Sequence, residues 1–201
     1  MSFQGTLGPF VKGSSTRIAL RVSAVFAAAF TAGAIAVFGI ASIAGAALHV
    51  DELSLQWRLG TAAAGLAVFA FVDLVAIRKR SYCPLSWRRQ TPQSLRFRNG
   101  VTTTVAMWGF DTGLAVTTFR VVALTWAALL LTFLGLASWQ VGFAYALAFV
   151  IPVIAILNGQ PSTSRSSESL AALLRKRVVL QCISIMALLT TGTLLLAHLA
   201  K

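Results

Sequence analysis

Asp111 stands in the stretch VTTTVAMWGFDTGLAVTTF, residues 101–119, with no other charge between Arg98 and Arg120. Six threonines share the stretch. On a helix, Thr104, Trp108, Asp111, Ala115 and Thr118 fall on one stripe. A carboxylate beside hydroxyls in apolar surroundings suits a proton or ion relay, or a substrate contact, with Arg120 at its end. The structural alternative is a buried acid clamped to Arg120 or Arg58. Gly109 and Gly113 form a small-xxx-small step on the same segment, a pattern of helix packing.

Two thiols and a second acid complete the chemically able residues. Cys83 lies among Arg78, Lys79, Arg80, Arg88 and Arg89, and positive neighbours lower a thiol's pKa. Cys83 and Cys182 are therefore candidate redox thiols, and a reactive Cys83 without a disulfide to Cys182 is the expectation. Asp73 has no base at i+4, so a structural ion pair with another helix is expected for it. His198 has no ligating neighbour. No metal site is indicated, no cofactor is implied, and no nucleotide-binding, HExxH or GxSxG motif occurs.

Those residues need elements to hold them, and the composition defines the kind. Of 201 residues 57% are apolar and 11% charged, with mean hydropathy +0.81. A soluble domain carries about 25% charged residues. Val22 to Leu48 runs without one formal charge, beyond the roughly 20 residues that cross hydrocarbon. A soluble enzyme, a disordered tail and a disulfide scaffold are excluded. The chain reads as an all-α integral membrane protein, one transmembrane domain over 1–201.

Six membrane-depth segments are expected, at about 21–48, 59–77, 101–119, 121–137, 141–157 and 178–199. The uncharged run 121–157 is too long for one crossing, about 55 Å as a helix, so it folds as a hairpin turning at Ser138, Trp139 and Gln140. Pro152 is expected to kink its second arm. Gly33, Gly39, Ala41 and Gly45 are expected to admit close neighbours to the first span. Residues 101–119 either cross, giving six crossings, or re-enter, which would bring both basic loops to one side; crossing is the slightly favoured expectation. The first seventeen residues lack the apolar core and cleavage site of a signal peptide.

The net charge of +12 fits the cytoplasmic bias of basic loops and anionic lipid headgroups, not nucleic acid. The loop RKRSYCPLSWRRQTPQSLRFRN, residues 78–99, and with it the N-terminus, is expected in the cytoplasm of a multi-pass inner or plasma membrane protein. The layout of about 200 residues, six apolar segments and a long basic loop after the second resembles the small membrane thiol-disulfide carriers of cytochrome c maturation, and the wider group of small six-span exporters. That family's cysteines lie within spans beside prolines, whereas residues 101–157 here have no cysteine, so no residue carries over as catalytic. The blocks CPLSWRRQTPQ and WGFDTGLAVTTFR have the look of family signatures. The expected role is carrier-like, moving a small solute, ion or reducing equivalent. Beside it stand a non-catalytic subunit or assembly factor of a larger membrane complex, with protein partners or copies of itself, and a membrane-embedded enzyme using Asp111 or Cys83.

Overall fold

The computed structural model describes residues 16–79, 81, 83–85, 94–115, 122–159 and 168–200. Among them are six α-helices and no strand. They are α1 (Thr16–Ala47), α2 (Leu55–Arg78), α3 (Ser94–Gly113), α4 (Leu124–Phe133), α5 (Val141–Gly159) and α6 (Glu168–Leu199). Among the described residues three stretches are long and apolar enough to cross a membrane: Arg17–Ala47, Leu55–Arg78 and Arg177–Leu199. The chain is a helical membrane protein.

Two compact units divide it: residues 1–37, 89–118 and 142–164 form one, and 38–88, 119–141 and 165–201 the other. The core of the first is Phe26, Phe30 and Ala34 of α1, Val105 of α3, and Ala146, Val150 and Val153 of α5. Phe30 stacks on Phe149 with ring centres 4.6 Å apart, and Phe26 lies 5.1 Å from Trp108. Backbones meet directly where α3 crosses α1. A Cβ on Gly109 would lie 2.8 Å from the Phe26 carbonyl, and one on Gly113 would strike the Phe30 carbonyl. Gly33 returns the contact, facing the Phe110 carbonyl. Successive α3 glycines meet successive turns of α1, so the two helices run parallel.

The register exposes the first departure from expectation. Residues 101–119 are not one long helix. Gly100 breaks the helix at its start, at φ +73, and the helix ends at Gly113, beside Phe30 and Ala34, halfway along the 32-residue α1. Ala115 then takes the left-handed conformation, φ +64, which a side chain adopts at a cost of order 1 kcal/mol. Gly39, expected at a helix contact, has nothing within 4 Å of its would-be Cβ.

In the second unit α2 and α6 pack antiparallel. Asp73 faces Ser184, Leu66 packs with Leu188, and Gly192 faces Ala63 and Leu66. Arg78 and Arg177 therefore sit at the same end, the basic end. At the opposite end, Ser54 caps α2 by accepting the Trp57 N–H, and Trp57 and Trp139 are exposed, as interfacial aromatics are. The turn expected at Ser138–Gln140 lies there, and α5 begins at Val141. The arm before it is shorter than the 121–137 expected. Helix α4 has ten residues, about 15 Å at 1.5 Å per residue, half a hydrocarbon core. Pro152 lies inside α5, and α6 is one helix of 32 residues that begins at Glu168, ahead of the span expected at 178–199.

Candidate functional site

Of the predicted stripe, Thr104, Trp108 and Asp111 share α3. Ala115 lies past the helix end, and Thr118 and Arg120 fall outside the described residues. Thr104 is buried and its hydroxyl donates to the Gly100 carbonyl at 2.8 Å. Trp108 belongs to the aromatic core with Phe26. Thr112, absent from the predicted stripe, donates to the Trp108 carbonyl at 2.7 Å. Asp111 is half-buried in the last turn of α3. The end of a helix carries a partial negative charge, and a carboxylate placed there deepens it. Such an end at half the depth of α1 suits a cation or a proton.

The second unit holds a buried acid with a different surrounding. Asp73 of α2 is fully buried. Its Oδ1 and Oδ2 accept the Ala123 N–H at 2.9 and 3.1 Å, and Oδ2 accepts the Ser184 hydroxyl at 2.7 Å. Among the described residues no cation pairs with it, and the partners described are these hydrogen-bond donors. Ala123 is the N-cap of α4. The carboxylate thus sits on the positive end of that helix. One turn earlier on α6, fully buried Gln181 donates Nε2 to the Ser81 carbonyl at 3.3 Å.

The other end of α4 is held from the same helix. Gly135 at φ +62 closes it, with the Gly135 N–H on the Thr132 carbonyl and the Leu136 N–H on the Leu131 carbonyl. Glycine suits this left-handed C-cap. The leftover carbonyls of Leu134 and Gly135 accept Nε and Nη2 of Arg58 at 2.8 and 2.7 Å. Arg58, a proposed clamp for Asp111, is thus engaged on α4. A negative charge of α2 holds the start of α4 and a positive charge of α2 holds its end. Both match the helix dipole.

Neither cysteine is in a disulfide; Cys83 is buried and Cys182 exposed. Burial pushes the Cys83 thiol up, the Leu85 N–H opposes this, and the Asp73 charge adds to it. This stands against the reactive thiolate expected from neighbouring bases, of which Arg80, Arg88 and Arg89 lie outside the described residues. Among the described residues no group of His, Cys, Asp and Glu is placed to hold a metal.

The fold defines a helical membrane protein with two acids on its helices, one of them, Asp73, within a stretch long and apolar enough to cross a membrane. No protein-family model, curated protein or solved structure matches this chain.

Proposed function

We propose that the protein is carrier-like, moving a small solute or ion past the broken end of α3. The observation that carries this is the stop of α3 at Gly113, level with the middle of α1, with Asp111 in its last turn. Irregular backbone at membrane depth is tolerated where it is buried or lines a water-filled cavity. Half-helix ends and unwound carbonyls are the parts from which transporters build cation sites. Asp111 supplies the charge that binds, and its threonine-rich helix the polar wall. Reducing equivalents are the weaker cargo, since a redox carrier needs an available thiolate and Cys83 is buried with its thiol pushed up.

The same reading includes a topology. The basic end of α2 adjoins the start of α4 through Asp73 and Ala123, and adjoins the start of the apolar part of α6 through Ser184. The end of α4 adjoins the start of α2 through Arg58. Charge bias favours five crossings with α3 re-entrant, in place of the slightly favoured six. It puts the basic loops 78–99 and 158–177 on the cytoplasmic side together with the N-terminus, where positive charge collects. Anionic headgroups are its natural lipid partners.

Flux from proteoliposomes tests the carrier reading, with entrapped pyranine for protons and isotopic sodium and potassium for alkali cations. Asp111→Asn is expected to keep expression and thermal stability near wild type and to abolish flux. Loss of the variant from the membrane would make Asp111 a structural clamp. Undiminished flux in a stable variant would refute the reading.

A further inference from the structure

Asp73 takes no part in the path proposed for α3, and everything that surrounds it belongs to the second unit. It is a fully buried acid with three contacts from two donors, a backbone N–H and a hydroxyl. No cation among the described residues pairs with it. A purely structural carboxylate at membrane depth is expected to be neutralised by a base. Here the donors stabilise the anion, while the apolar surroundings stabilise the acid. A hydroxyl opposite is the one donor that can reverse. Ser184 donates to the anion and can accept from the acid. The Ala123 N–H cannot reverse, and a neutral acid no longer complements the positive end of α4.

We propose that Asp73 is a proton-binding site whose loading releases the start of α4. A proton entering from the basic end adds to one carboxylate oxygen. The Ser184 hydroxyl turns to accept it, and the charge that held the Ala123 N–H is gone. No electron moves and no other bond breaks. The charged and titratable groups nearby are Arg78 and Lys79 on α2, Cys83 in the segment after it, and Arg177 two turns before Ser184 on the same face of α6. Helix α4 itself, LTWAALLLTF, contributes none. Cys83 and Asp73 share an electrostatic environment, so Cys83 is replaced by Ser in the test protein.

The experiment reads the proton and the helix separately. Full-length protein in lipid nanodiscs carries carboxyl-labelled aspartate in an Asp51→Asn, Asp111→Asn background, leaving Asp73 as the labelled side chain. Infrared spectra are recorded across the pH range in which the protein stays folded. A labelled carboxylic C=O band is expected to rise on acidification. Over the same interval, amide exchange at 122–126, corrected for its intrinsic pH dependence, is expected to quicken at least tenfold. Ser184→Ala is expected to displace the midpoint of both. In Asp73→Asn exchange should be fast at every pH; if that variant does not fold, the labelled band and wild-type exchange decide alone. A carboxylate that never takes a proton, or one that does so while exchange at 122–126 stays constant, would overturn the proposal. Flux is not measured; if Asp111→Asn is lost from the membrane, the Asp51→Asn protein is used and the Asp73 band is the one that Ser184→Ala displaces, so failure of the Asp111 reading leaves this result intact.

Discussion

At Cys83 burial opposes what the sequence neighbours suggest. The loop around it is basic, yet the thiol is 2% exposed, and desolvation is the largest influence on it. A thiol held up in this way stays protonated near neutral pH, and its proton is lost only as pH rises through the raised value. N-ethylmaleimide is therefore expected to modify Cys83 at least tenfold more slowly than a free peptide thiol at pH 7.5. The rate should still be climbing above the ordinary thiol range, where the peptide has levelled off. Mass spectrometry of a Cys182→Ser protein over a pH series reads this. A rate equal to the peptide's at pH 7.5 would restore the activated thiol. Asp73 teaches a related lesson. Its donors are a serine 111 positions away and a backbone N–H, and neither carries a charge that sequence inspection would flag as a partner.

Elements were legible in proportion to how local their causes are. Hydropathy over twenty residues marks α1, α2 and α6, because lipid exposure acts on each residue separately. The small-xxx-small step also reads correctly, since Gly109 and Gly113 lie one turn apart on one face. Substituting Gly113 by Leu drives side-chain atoms into the Phe30 carbonyl. Overpacking of this kind costs about 1–3 kcal/mol. The melting temperature in detergent should drop by several degrees, whereas Gly39→Leu, facing open space, should leave it unchanged. Equal effects at both positions would refute the α1–α3 register. The limits of α4 were hidden for the opposite reason. Within the uncharged run 121–137 only Gly135 marks a stop, and it names no partner for the carbonyls left over. The stop is set by Gly135 and by Arg58, 76 positions upstream. Likewise the break after Gly113 has no proline. Ala115 is forced left-handed, and alanine advertises no such turn.

At the scale of the whole molecule, five crossings and six make opposite statements about two loops. In a cysteine-free background, Ser94→Cys and Glu168→Cys are both expected to be shielded from a membrane-impermeant maleimide in intact cells, while Ser138→Cys is labelled. Six crossings would expose Glu168 and hide Ser138. Labelling at Ser94 would invert the protein altogether. The clamped helix α4 has a further consequence, for the order in which the chain is built. Ten residues are too few to enter a bilayer as an independent span, and the bare ends of a helix are costly there. Asp73 and Arg58 are costly in α2 for the same reason. Each supplies what the other lacks, but α2 leaves the ribosome about fifty residues earlier. Until α4 follows, α2 carries two uncompensated charges, so a nascent chain halted before Leu124 should hold α2 at the insertion machinery or at the membrane surface. Completion of α4 is then the step that commits α2 to lipid, and Ser184 closes the junction last.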